Sequence, residues 1–145
     1  MGVDAGEHAP GDAELRTRVE LFAADLDRSL AFYGRLGFDL VRRWGGWALV
    51  ERRGSRLAIQ DDAYVRDHDH YFTPFIDRVP RGVGVEVTVD VTDRDDLEAL
   101  YADAQRAGCV VRELRDRPWG ATDFRIADPD GYFVRFTTPL GLIGE

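Results

Sequence analysis

The 145-residue chain predicts an α+β fold built from two copies of a strand–helix–strand–strand–strand module. Two observations carry that prediction. A period-two alternation of apolar and polar residues gives way to helical periodicity twice, near 19–36 and again near 85–104. Three further alternating runs follow each helical stretch, and corresponding residues of the two halves lie about 70 positions apart, too long a period for a solenoid repeat. One helix cannot cover both faces of a four-stranded sheet. Two paired modules can: helices protect the outer faces, and the inner faces join as a curved mixed sheet around a cavity.

In the first module Val19-Glu20-Leu21-Phe22-Ala23 alternates as a strand, and Asp25 offers an N-cap to a helix of about ten residues. Leu26, Leu30 and Tyr33 recur on one helical face with Leu36 close by, and Gly37 stops the helix. Strands are expected over 38–43, 47–52 and 56–61, with turns at Gly45-Gly46 and Gly54-Ser55. In the second module 85–89 alternates, and Thr92 or Asp93 caps a helix striped by Leu97, Leu100, Tyr101 and Ala104 that ends at Gly108. Strands follow over 110–114, 122–127 and 132–138. The modules thus span 16–62 and 83–140 of a single domain (16–145), preceded by a loose segment, 1–15, and joined by a linker, 63–82. In the linker Tyr71, Phe72, Phe75 and Ile76 are too apolar for a solvated tether, so a docked short helix or turn is expected.

Composition narrows the function. A net charge of −8 argues against nucleic acid and anionic membranes and mildly favours cationic ligands. No apolar run reaches the ~20 residues that span a bilayer, and the N-terminus lacks a signal pattern, so a cytoplasmic protein is expected. Lys and Asn are absent and all 19 basic residues are Arg, a usage that fits a GC-rich bacterial genome. The single Cys109 excludes an intramolecular disulfide, and its strand-like context reads as a buried structural thiol. Ser29 on a helix and Ser55 in a turn lie in no nucleophile motif.

Strand alternation assigns faces. Val19, Leu21 and Ala23, then Leu57 and Ile59, then Val83, Val85, Val87 and Val89, then Val134 and Phe136 form the apolar sets beneath the helices. The opposite parity points inward: Arg18, Glu20, Phe22, Arg56, Ala58, Gln60, Gly84, Glu86, Thr88, Asp90, Phe133, Arg135 and Thr137, with Trp47 and Trp119 near the rim. Aromatic walls with a few oriented charges suit a planar or amphipathic small molecule, aromatic or cationic. Alternatively, Arg18, Glu20, Glu86 and Arg135 neutralise one another in a buried or dimer-interface network that binds nothing.

Asp128-Pro129-Asp130-Gly131 is a tight turn with a mechanism: Pro129 presets φ, Asp130 bonds back to the backbone, and Gly131 tolerates positive φ. Together with Asp25-Leu26-Asp27-Arg28-Ser29-Leu30-Ala31-Phe32-Tyr33 and Leu36-Gly37-Phe38, it resembles the vicinal-oxygen-chelate superfamily: glyoxalase I, extradiol dioxygenases, fosfomycin-resistance enzymes and bleomycin-resistance proteins. The resemblance runs from Arg16 to Leu140 and implies the paired βαβββ fold. It also implies where metal-using relatives place ligands, one inward position on each of four strands. Those positions are Arg18, Ala58, Gly84 (or Glu86, in a register shifted by two) and Arg135. Guanidinium and methyl groups donate nothing to a cation, so neither a family-type metal nor any other cofactor is expected. His68 and His70 read as part of a polar loop, or as an adventitious metal trap if that stretch is extended; His8 lies in the loose segment.

Arg117-Pro118-Trp119-Gly120, followed by Phe124 and Asp128-Pro129, is similar to the matching stretch of bleomycin-resistance proteins. That resemblance implies a metal-free homodimer that sequesters an antibiotic or another secondary metabolite without chemistry. Trp119 then either wedges a turn or touches ligand. The rival reading is a lyase, isomerase or epimerase of the same superfamily, with Glu20 or Glu86 as general base at a raised pKa.

Overall fold

The computed structural model describes residues 17–77 and 81–139. In chain order they form β1 (Val19–Ala23), α1 (Leu26–Arg35), β2 (Asp39–Trp44), β3 (Trp47–Arg52), β4 (Ser55–Asp61), α2 (Asp62–Asp67), a 3-10 turn (Thr73–Phe75), β5 (Glu86–Asp90), α3 (Arg94–Arg106), β6 (Val110–Asp116), β7 (Thr122–Ala127) and β8 (Phe133–Thr137). The paired βαβββ architecture forms as two four-stranded mixed sheets, ordered β1-β4-β3-β2 and β5-β8-β7-β6. Within each, the first strand runs parallel to the last, and the other neighbours are antiparallel. No strand of one sheet pairs with the other among the described residues, so the eight strands make two ladders rather than one.

Both sheets and both long helices feed one apolar core. Leu21, Leu57 and Ile59 from the first sheet meet Phe124, Val134 and Phe136 from the second, and Tyr33, Leu36, Leu97 and Leu100 come from or flank the helices. Phe38 and Phe136 approach across the modules to 6.4 Å between centroids. The predicted parity holds in β1, β4 and β8. It fails at the start of β5. Val83 and Val85, expected beneath α3, lie ahead of the strand and are 71% and 54% exposed. Gly82 and Gly84 both take positive φ there, which turns the chain before it can extend. Only the second half of the Val-x-Val-x pattern, Val87 and Val89, lies in the strand and packs toward the core.

Carboxylates set the helix starts. Asp25 accepts from the Arg28 amide at 3.1 Å, and Asp93 rather than Thr92 caps α3, accepting from Asp95. Asp61 serves two helices at once, its Oδ1 taking the Ala63 amide (2.8 Å) and its Oδ2 the Leu26 amide (3.2 Å). It therefore ties α2 to the start of α1. The linker docks through part of its apolar set: Phe22 packs on Phe72 and His70, and Ile76 is buried, whereas Tyr71 and Phe75 are exposed. The loose segment expected over 1–15 and the end of the chain past residue 139 lie outside the described residues.

The Asp-Pro-Asp-Gly turn joins the modules. Asp130 accepts from the Ala24 amide (2.9 Å) and the Ser29 hydroxyl (3.3 Å), and Tyr33 donates its hydroxyl to Asp128 at 2.7 Å. The Phe22 amide donates to the Tyr132 hydroxyl. Gly82 lies so close to this turn that a Cβ there would collide with the Gly131 carbonyl and Tyr132 Cα. The signature is structural glue between the halves.

Candidate functional site

The face of the first sheet opposite the core is organised by register. Cross-strand partners share a face, so Trp44, Trp47, Gln60 and Phe22 form one row across β2, β3, β4 and β1. Arg42, Leu49, Ala58 and Glu20 form the next. Over the first row the hairpin β2–β3 and helix α2 enclose a hollow of about 280 Å3, lined by Arg42, Trp44, Trp47, Gln60 and Tyr64. Gly46 lets α2 close on the hairpin, since a Cβ there would sit 2.7 Å from the Tyr64 Cβ.

Trp47, from the first row, reaches into the second. Its indole N–H reaches over Ala58 to Glu20 at 2.7 Å, and the Arg18 guanidinium lies 5.6 Å from its ring centroid. Ala58 and Leu49 are buried yet stand outside the shared apolar core.

The matching face of the second sheet is a row of charges. Arg125 donates to Glu86 at 2.8 Å, and Arg135 lies 3.7 Å from the other Glu86 oxygen. Behind them Asp123, fully buried, takes Arg117 at 2.7 Å and Arg125 at 3.4 Å. Thr88 and Phe133 are exposed on this face. No side-chain hydrogen bond, ion pair or ring contact joins Arg18, Glu20, Trp47, Arg56 or Gln60 to Glu86, Thr88, Phe133 or Arg135 among the described residues. The two inward sets are therefore held on separate sheets.

The family model for the Glyoxalase/Bleomycin resistance protein/Dioxygenase superfamily matches residues 16–136. The chain belongs to this superfamily. A bleomycin resistance protein from Klebsiella pneumoniae is 26% identical over 121 residues, covering 77% of this chain and 82% of the relative. A glyoxalase/bleomycin resistance protein/dioxygenase from Nocardioides superposes with a TM-score of 0.67 at 27% identity, covering 89% of this chain and 87% of that one. A bleomycin-binding protein complexed with bleomycin superposes at 0.61 with 25% identity, covering 86% and 98%.

The superfamily's metal positions fail a fit test here. Arg18 is engaged with Trp47, Ala58 is a buried methyl, and Arg135 stands beside Glu86, the one carboxylate in the set. Among the described residues no three His, Cys, Asp or Glu side chains cluster to hold an ion. A hard or borderline cation would find one oxygen donor and adjoining positive charge. Arg135→Glu alone is accordingly expected to create no tight site, because Arg18 and Ala58 remain. Calorimetric titration of that variant with Zn or Ni checks this, and micromolar uptake would contradict the face assignment.

Several expected residues change role on sight. His68 and His70 do not share a strand face: His68 stacks on Tyr64 at 3.8 Å, while His70 accepts from the Phe72 amide and packs on Phe22. Trp119 is 53% exposed on the β6–β7 turn, and it does not line the hollow. Arg56 pairs with Glu51 along the edge of the face. Cys109 precedes β6, half-buried, its thiol pKa pushed up by burial. Glu20 and Glu86, the two candidate bases, are both exposed and already hold donors, unlike the desolvated carboxylate a metal-free proton abstraction requires. Arg42, Trp44 and Tyr64 were not anticipated. Trp44 was within reach of sequence, since a tight Gly45-Gly46 turn sets it opposite Trp47; Tyr64 was not, because nothing local says where α2 docks.

Proposed function

We propose that this protein binds a planar aromatic small molecule, an antibiotic or another secondary metabolite, without a metal and without altering it. The observation that carries the reading is the hollow between Trp44 and Trp47, with Gln60 below and Tyr64 beside it. Its volume is near the lower end of ligand pockets, about 300 Å3, and two indoles offer stacking surface at little conformational cost. Kinship with bleomycin-resistance and bleomycin-binding proteins supports the same class of ligand.

In this reading two copies of the chain act as a homodimer in the cytoplasm. The charged face around Glu86, Arg125 and Arg135 and the aromatic face around Trp47 are each open within one chain, and a second copy would close one over the other. No helix among the described residues is long and apolar enough to cross a membrane.

Bleomycin and simple naphthyl compounds, titrated while tryptophan emission is followed, test the proposal. Quenching that saturates is expected, and Trp47→Ala should weaken binding by about tenfold because a central aromatic anchor is removed. Emission unchanged at saturating probe would sink the reading. Recovery of the bound compound in altered form would replace the binder with an enzyme.

A further inference from the structure

Three buried polar atoms have no hydrogen-bond partner among the described residues: Asp123 Oδ2, Arg135 Nε and Gln60 Nε2. The first two belong to charged groups that face an opposite charge in the second sheet: Asp123 takes Arg117 and Arg125 on its other oxygen, and Arg135 lies 3.7 Å from Glu86. Gln60 differs. It is neutral, 8% exposed, and its side chain lines the hollow. A buried donor without an acceptor destabilises the folded chain, and an apolar side chain of similar shape would remove that cost. Folding alone therefore gives no reason for glutamine at this position.

We infer that Gln60 reads a hydrogen-bond acceptor on the ligand, and that the hollow selects an aromatic carbonyl or carboxylate over an aromatic amine. The inference rests on the binding role proposed above and assigns its chemical class. Three observations support it. The Gln60 carboxamide sits in the row between Trp47 and Phe22, so a ring stacked on the indoles holds its substituent over β4. The terminal torsion of glutamine is broad and roughly twofold, so Nε2 can swing to the hollow without backbone movement. The sign of charge is set by Arg42, the one ionised side chain lining the hollow, which is exposed and makes no ion pair among the described residues. No carboxylate lines the hollow: Glu20 is turned to the Trp47 indole N–H and Asp61 to two helix N-termini. An ammonium group would meet a guanidinium and no free carboxylate. A carboxylate or carbonyl would meet two donors.

The test uses one ring system with four heads: 2-naphthoate, 2-naphthamide, 2-naphthylmethylammonium and 2-methylnaphthalene, titrated into the full chain and followed by tryptophan emission. Naphthoate is expected to bind about tenfold tighter than the ammonium compound, with naphthamide between them. Gln60→Met should weaken naphthoate and naphthamide by about three- to tenfold, leave methylnaphthalene unchanged, and melt at or above the wild-type temperature. Arg42→Gln should abolish the preference for naphthoate over naphthamide. Equal or tighter binding of the ammonium compound would overturn the inference, as would unchanged naphthamide binding in Gln60→Met. A fall of several degrees in that variant's melting temperature would reassign Gln60 to structure. In each of those cases the binding role survives. If no naphthyl compound binds, the binding role itself fails, and this inference with it.

Discussion

Arg81→Ala is expected to lower stability by about 3–5 kcal/mol, the cost of leaving a buried carboxylate without its partner. Arg81 stands where the linker meets the second module. Its guanidinium donates to both oxygens of Asp62 (2.9 and 2.7 Å) and to the carbonyls of Phe22 and Ile76 (both 2.9 Å). Both side chains of the pair are close to fully buried. One residue thus ties together β1, α2 and the stretch after the 3-10 turn. Removing only the arginine strands Asp62. Removing both charges does not, so Arg81→Met with Asp62→Leu should recover most of the loss. A domain of this size should melt about 10 °C lower in the single variant, and the double variant should return most of that. The site should feel it too. Tyr64 follows Asp62 by one short step on α2, so Arg81→Ala is expected to weaken 2-naphthamide binding even at temperatures where it stays folded. A single variant melting within about 2 °C of wild type would show that the clamp does not hold the linker.

That clamp marks where the sequence stops being readable. Elements were legible wherever local physics decides them. Asp25, Leu26, Leu30 and Tyr33 place α1 because caps and helical spacing act over a few residues. Leu57 and Ile59 against Arg56 and Gln60 fix the faces of β4 because only the aliphatic parity enters the shared apolar core. Val83 and Val85 misled because two glycines overrode an alternation that looked strand-like. Of the site, Gln60 was legible from parity, and Trp47 was placed near the rim. Their partners were less so: the tight Gly45-Gly46 turn sets Trp44 opposite Trp47, but Arg42 follows only from the β2–β3 register with its bulge after Leu40, and Tyr64 from a helix that Asp61 and Arg81 dock. Inward parity also left open that Arg18 and Glu20 would meet Glu86 and Arg135. Parity ranks faces within a sheet. It carries no information about which sheets confront one another, and these two contribute their other faces to a common core.

Asp128 tests the joint between the modules. Its Oδ1 accepts the amides of Asp130 and Tyr132 (both 2.9 Å), and its Oδ2 accepts the Tyr33 hydroxyl at 2.7 Å. Tyr33 is fully buried, and burial beside this carboxylate pushes its pKa well up, so it stays protonated and donating. Asp128→Ala orphans three donors at once, which should cost about 3–5 kcal/mol and lower the melting temperature by about 10 °C. Asp128→Asn keeps an oxygen for the two amides and an N–H that the Tyr33 hydroxyl can accept, so its cost should be far smaller. The pH dependence of that smaller cost has a definite sign. Burial raises the Asp128 pKa above the ordinary 3.8, outweighing the hydrogen bonds from Tyr33 and from the Tyr132 and Asp130 amides, which favour the charge. The folded protein then binds the proton more readily than the unfolded chain. Asp128 therefore contributes stability that is fully present below pH 3.8 and is lost as pH rises through the raised folded value. Asparagine has no such dependence, so the penalty of Asp128→Asn should be larger in mild acid and shrink toward neutrality. Urea denaturation of both proteins across that range measures the difference directly, with the remaining titrating groups cancelling between them. A penalty that grows with pH would mean that hydrogen bonding to the charged carboxylate, and not its burial, sets the balance at this joint.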